Sequence, residues 1–282
     1  MKAPAFAYAK PASLAEVFDC LESNQDARVI AGGQSLIPAL NMRLLSPSLL
    51  IDLNGIAGLA GISETGGAVR IGAMTRYCDI LDSRIVEEHL PLIAKAIPHI
   101  AHQAIRNRGT IGGSLALADP STELPACCLA LDAKLVVASR GGERRIAARD
   151  FFKGIYETAL EAGDVLTAIE FPSRQKGSVS GFAELARRVG DYAMVGLAAY
   201  GVRSEGKWTE LQLAFFGAGD RPLLAREAAK IIVTGGDVAV AGASLDRDLS
   251  PSDDGECAAA TKMHLARVLL GRVVMAMEAD AK

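Results

Sequence analysis

Residues 106–126 read RNRGTIGGSLALADPSTELPA, and they crowd Gly109, Gly112 and Gly113 into one short span. Glycine inside regular structure costs roughly 0.5–1 kcal/mol relative to alanine. Such a cluster therefore marks a sharp turn, or a place where the backbone approaches something closely. A second stretch, residues 28–43, RVIAGGQSLIPALNMR, raises the same question. The reading of the chain turns on these two loops.

A strand that ends in Gly-Gly can turn its next amides inward, making a concave nest of N–H donors that binds anionic oxygens without a formal positive charge. Ser35 and Ser114 follow the two glycine pairs, and each offers a hydroxyl. Neither loop fits G-x-G-x-x-G or G-x-x-x-x-G-K-[ST], and the phosphate-binding lysine and the ribose-binding acid are missing. That weighs against a Rossmann unit or a nucleoside triphosphatase. One isolated Gly-Gly pair more often just caps a strand. Two pairs, each followed by serine and a leucine-containing segment, suit a diphosphate gripped from both sides, with Gly112 and Gly113 clearing space for it.

Around the loops the chain reads as alternating helix and strand. SLAEVFDCLES opens with a capping box, Ser13 and Glu16, and carries Leu14, Val17, Phe18 and Leu21 at helical spacing. ARVIAGG is a strand running into the first loop, and SLLIDLNGI is a second strand ending in an Asn-Gly turn. Residues 1 to about 58 thus form one α/β unit. GAVRIGAMTRYCDIL begins a second, strand first and then a helical run to about residue 104. DAKLVVAS, GGERRIAARDF and DVLTAIEFP close it, giving subdomains of about 1–58 and 59–174. SRQKGSVSG is expected to be a linker. A unit of residues 180–282 follows, with two or three antiparallel strands and two helices. In the last helix Leu265, Leu269, Val273 and Met277 form one stripe, expected to pack on the sheet.

Composition narrows the function. The 282 residues are 50% apolar and 22% charged with a net charge of −3, which supports a large core and argues against nucleic acid or an anionic membrane as partner. No apolar run approaches the ~18–20 residues of a membrane span, and MKAPAFAYAKPAS does not read as a signal peptide. A cytoplasmic protein is expected. Cys20, Cys78, Cys127, Cys128 and Cys257 contain no C-x-x-C, and the histidines lie apart from them, so no metal site or iron–sulfur cluster is expected on this chain.

AGGQSLIPALNMRLLSPSLLIDLN and IRNRGTIGGSLALADPSTELP, with ARRVGDYAMVGLAAY further on, closely resemble the FAD-binding medium subunit of the molybdenum hydroxylases. These include carbon monoxide dehydrogenase, xanthine dehydrogenase and N-heterocycle dehydrogenases. The resemblance covers essentially the whole chain. It implies an α+β protein: a p-cresol methylhydroxylase-type FAD-binding fold of two α/β subdomains, followed by a smaller α+β C-terminal domain. By position, Ala31, Gly32, Gly33, Gln34, Ser35 and Leu36 would wrap the pyrophosphate from one side. Thr110, Ile111, Gly112, Gly113 and Ser114 would wrap it from the other. Ile100 and Ala101 match positions lining the flavin region, Glu123 an acid that hydrogen-bonds FAD, and Val165 and Leu166 apolar walls.

The departures sharpen this. Many relatives carry histidine where this chain has Gln34, which cannot form a histidyl–flavin bond, so the FAD is expected to be noncovalent. A family lysine falls at Ala183 or Glu184. Tyr192 falls where relatives place a residue near the isoalloxazine, and it reads equally as an ordinary strand aromatic. Arg106 and Arg108 face phosphate or lie on the surface, His99 and His102 pack or cap, and Asp119 holds a turn.

The implied role is electron transfer. A large partner subunit holds molybdopterin and a small one two [2Fe–2S] clusters, the whole being a dimer of heterotrimers that oxidises an N-heterocycle, an aldehyde or CO. A free-standing flavin oxidoreductase, or a scaffold that has lost FAD, are the rivals.

Overall fold

The computed structural model describes residues 2–255 and 257–280. Its first layer is a parallel sheet of β1 (Ala7–Ala9), β2 (Ala27–Ile30) and β3 (Leu49–Asp52), ordered β1-β3-β2. Parallel strands need a crossover, and the helix Leu14–Ser23 supplies it between β1 and β2. Ser13 Oγ accepts from the Glu16 amide at 3.3 Å. The reciprocal half of the expected box shifts by one residue, because Glu16 Oε2 accepts from the Ala12 amide at 2.9 Å. Val17 and Phe18 pack with Ile51 and Leu53 in the core beneath.

The second sheet is antiparallel. It contains β4 (Ile62–Thr65), β5 (Ala68–Gly72), β6 (Lys134–Ser139) and β7 (Gly142–Ala147), while β8 (Phe152–Gly154) and β9 (Glu157–Thr158) pair separately as a hairpin. The fifth strand, β10 (Val165–Pro172), lies centrally between β5 and β6. Between β5 and β6 the chain makes a string of short helices. The expected continuous helical run is cut at Pro91, which starts a helix at its first position, and at Pro98, which sits in a 3-10 turn. Proline lacks the N–H an interior helical bond requires but fits the first turn.

The third sheet is antiparallel, β11 (Ser178–Leu185), β12 (Val195–Ser204), β13 (Lys207–Phe216) and β14 (Leu223–Leu224). Here the sequence reading needs correction. The segment taken as a linker already belongs to β11 from Ser178, which pairs with Val202. The alternating SVSGF carries buried Ser178, Ser180 and Gly181 inside the sheet, a pattern that composition mistakes for a loop. On the sheet lies the helix Ala259–Asp280, whose Leu269, Val273 and Met277 are buried against it as expected, with Leu265 partly so. Gly181 lets it approach, since a Cβ there would lie 2.6 Å from Val273. Ala198, Ala214 and Phe216 of this sheet join the core of the second layer. The two lobes therefore pack through one continuous apolar interior.

Candidate functional site

The first glycine loop leaves the carboxyl end of β2 and enters the short helix Leu36–Asn41. Gly33 has φ +72°, a conformation glycine adopts without the Cβ penalty. Asn54 Nδ2 ties the loop down by donating to the Ala31 carbonyl at 2.9 Å. Gln34 Nε2 folds back onto the Gly32 carbonyl at 2.9 Å. Ser35 is exposed and makes no side-chain cap bond. Among the described residues the amides of Gly33, Gln34 and Ser35 donate to no backbone or side-chain acceptor. This loop presents a run of unspent donors.

The second loop differs from its expected form. Thr110 caps the helix Ile111–Leu117, its Oγ1 accepting from the Gly113 amide at 3.1 Å. The Ile111 amide donates to Thr75 at 3.1 Å and the Gly112 amide to Ala73 at 2.8 Å. With the Ser114 amide donating to the Thr110 carbonyl at 3.2 Å, four amides of the expected nest are committed within the fold. Gly112 also serves another purpose than clearing room for a ligand. A Cβ there would sit 2.4 Å from the Ala73 Cβ, so it allows the helix to press against the end of β5. The Ser114 hydroxyl is bonded to Tyr77, a phenol pushed up by burial while that bond opposes the shift.

The two loops meet. A Cβ on Gly32 would lie 2.2 Å from the Arg108 carbonyl oxygen, and one on Gly113 would lie 3.5 Å from the Ala31 Cβ. Backbone stacks on backbone across the seam between the first and second sheets. Free amides on one wall and glycine surface on the other make a cradle of the kind that suits a diphosphate.

Further loops extend the site toward the third sheet. Ile100 is buried and Ala101 sits at φ +43°. Arg106 holds this turn, its Nη1 donating to the carbonyls of Ile100 at 2.8 Å and Ala101 at 2.7 Å. Its Nη1 is thus committed to the turn. The loop between β11 and β12 covers the turn: a Cβ on Gly190 would lie 2.7 Å from His102 and 3.1 Å from the Ala101 carbonyl. Tyr192 belongs to this loop rather than to a strand and is 64% exposed. The reading as an ordinary strand aromatic is thereby overturned.

Asp119 accepts from the Ser121 amide at 2.9 Å, the turn role expected of it, and from the Tyr156 hydroxyl at 3.2 Å. Tyr156 and Ala118 are both left-handed, at φ +56° and +54°, and the Tyr156 amide donates to the Ala118 carbonyl at 3.3 Å. Glu123 begins the helix Glu123–Ala130 and is 7% exposed. Burial raises its carboxyl to about 7, with the charges of Glu184 and Asp119 adding and His99 opposing.

Most of the expected site residues therefore gather at one seam. Val165 and Leu166 are buried in cores that also hold residues of the two loops, Val165 with Leu53, Met74 and the partly buried Ala31, Leu166 with Ile111 and Leu115. Sequence reading missed the Tyr156–Asp119 and His99–Glu184 pairs and the Arg106 clasp. Only Glu184 carried a signal, at the departure from the family lysine.

The chain matches two family descriptions, "FAD binding domain in molybdopterin dehydrogenase" over residues 4–199 and "CO dehydrogenase flavoprotein C-terminal domain" over residues 180–277. It is 44% identical over 218 residues to the nicotine 6-hydroxylase medium subunit of Paenarthrobacter nicotinovorans, covering 77% of this chain and 76% of that one. Carbon monoxide dehydrogenase from Hydrogenophaga pseudoflava superposes with a TM-score of 0.96 at 34% identity, covering 99% of both chains. Quinoline 2-oxidoreductase from Pseudomonas putida 86 gives 0.94 at 39% identity, covering 100% of this chain and 99% of that one.

Proposed function

The chain belongs to the FAD-binding medium subunits of the carbon monoxide dehydrogenase and xanthine dehydrogenase family, and from that premise we propose how its residues serve the cofactor. The observation that carries the reading is the seam where Gly32 rests on Arg108, beside the unspent amides of Gly33, Gln34 and Ser35. Those amides and the Ser35 hydroxyl hold the pyrophosphate of FAD. Thr110, Gly112 and Gly113 shape the facing wall. Glu123 anchors a hydroxyl of the cofactor, Tyr192 faces the ring from the third lobe, and Ile100 and Ala101 border it. Gln34 supplies no nucleophile for a flavin bond, so binding is noncovalent.

FAD when bound supplies the electron chemistry, and the protein supplies binding, orientation and electrostatics. The chain works as the electron-transfer subunit of a heteromeric molybdenum hydroxylase. A large molybdopterin subunit oxidises the substrate, and a small subunit with [2Fe–2S] clusters passes the electrons to this site and on to a terminal acceptor. Assembly as a dimer of heterotrimers in the cytoplasm completes the proposal. It agrees with the finding that no helix among the described residues is long and apolar enough to cross a membrane.

Purification with the native partners should give a yellow complex containing molybdenum and iron. The chain alone, reloaded with FAD, should bind one equivalent and turn over no organic substrate. Turnover by the isolated chain would establish a free-standing flavoenzyme, and a stable chain that takes up no FAD would establish a scaffold.

A further inference from the structure

The outer edge of β13 is open over part of its length. β12 pairs with it from Lys207 to Phe216, but on the other side β14 meets only Ala214 and Phe215. One further bond follows, from the Ala225 amide to the Leu213 carbonyl at 2.8 Å. That bond shows Leu213 turned toward the outer edge, and alternation places the N–H and C=O of Leu211 there too. Among the described residues nothing bonds to Leu211 from that side. The open stretch forms the base of a cleft of about 490 Å³, lined by all of residues 209–213. Side chains of a strand alternate between its faces, so five consecutive residues reach one cavity only along the edge. One wall is the helix Arg226–Val233, with Ala229 and Val233 inside and the exposed Arg226 and Lys230 at the rim. The other is Leu129 and the Arg149–Asp132 ion pair. Among the described residues neither Arg226 nor Lys230 has an acid within ion-pair distance.

We propose that this cleft takes an extended segment of a partner subunit, which adds a strand to β13 and sets a carboxylate against Arg226 and Lys230. The inference rests on the heteromeric assembly proposed above. Strand addition draws affinity from main-chain bonds and specificity from the pockets beside them. Here Leu211 supplies the bonds, the apolar lining of Leu129, Leu224 and Val233 takes alternate side chains, and the two unpaired cations select for an acid. Exposed edges are normally blunted by charge, by bulges or by cover. β13 has a bulge opposite Val202 and Arg203 and cover from β14, and the unprotected stretch lies between them. A second copy of this chain does not fit, because its own β13 edge is recessed behind the same helix and two such edges cannot meet. A single extended segment reaches the base of the cleft.

The test is hydrogen exchange on the isolated chain and on the complex purified with its native large and small subunits. The Leu211 amide should exchange freely in the first and at least about tenfold more slowly in the second. Arg226→Glu combined with Lys230→Glu should leave FAD uptake by the isolated chain unchanged. It should weaken binding to the partner subunits by at least about tenfold, a difference that high salt narrows. A complex whose Leu211 amide exchanges as in the isolated chain, or that assembles with the charge-reversed chain at wild-type affinity, would overturn this inference and leave the heteromeric reading intact. Protection of Leu211 in the isolated chain that grows with its concentration would assign the edge to a second copy and overturn it as well. A chain that forms no complex with those subunits would overturn both.

Discussion

The carbonyl oxygen of Arg108 stands where a side chain on Gly32 would have to be, 2.2 Å from the Cβ position. Both partners are backbone, so no rotamer change relieves the overlap. Gly32→Ala must separate the two loops. Since Gly32 is only partly buried and Arg108 is exposed, FAD affinity should drop by about 10–100-fold, equivalent to ~1.4–2.8 kcal/mol, with little change in far-UV circular dichroism. Flavin fluorescence titration reads the first and melting the second. Unchanged affinity would show that the seam is not the cofactor cradle.

Gly112 and Gly113 are neighbours with different duties, and substitution should separate them. A Cβ on Gly112 lies 2.4 Å from that of buried Ala73, so Gly112→Ala should cost about 1–3 kcal/mol of stability by overpacking. A side chain on Gly113 instead meets Thr110 Oγ1 at 2.9 Å and Ala31 Cβ at 3.5 Å. Gly113→Val should therefore empty the cleft of FAD while the third sheet and its helices still fold. Normal flavin occupancy in Gly113→Val would remove this glycine from the site.

How much of this the sequence disclosed depends on range. Gly32 and Gly33 were legible because a glycine pair after a strand has few uses, and the second pair supplied its own context. What the second pair does was not legible. The acceptors for the Ile111 and Gly112 amides, Thr75 and Ala73, are brought there by β5, and no local pattern announces them. Ser178–Gly181 looked like linker because small polar residues are shared by loops and by strands that must let a helix come close. Glu184 and His99 meet only through the packing of β11 on the second lobe. Long-range pairs of this kind leave no spacing to read.

Arg106 offers a test of the turn that borders the cleft. Its guanidinium donates to the carbonyls of Ile100 and Ala101 and, at 3.4 Å, to that of Pro98, while Ala101 is held at φ +43°. Charge-assisted bonds of this kind are each worth about 1.5–3 kcal/mol, and left-handed alanine costs about 1–2 kcal/mol. Arg106→Ala should lower stability by about 2–4 kcal/mol and raise hydrogen exchange selectively in residues 98–102. Arg106→Lys should recover only part of this, since a compact ammonium does not reproduce the guanidinium geometry. Full recovery by lysine would mean that charge alone holds the turn.

The stability of the apoprotein should peak on the acid side of neutrality. Glu123 is raised by burial from an ordinary 4.5 to about 7, so between those values the folded state binds more protons than the unfolded one. Stability then declines as pH climbs through that interval, by about 3 kcal/mol in total from this group. His99 is raised by its bond to Glu184, so its contribution is complete below its unfolded value and also fades as pH rises. Glu170 works in the opposite sense. Its bond from Arg145 lowers it, so its contribution is present above its unfolded value and is lost as pH falls. The opposing slopes place the maximum near pH 5. Urea unfolding across about pH 4 to 9 should show it, and Glu123→Gln should flatten the alkaline limb and stabilise the apoprotein at about pH 8 by up to about 3 kcal/mol. An alkaline limb as steep in Glu123→Gln as in wild type would show that the decline does not come from this carboxyl.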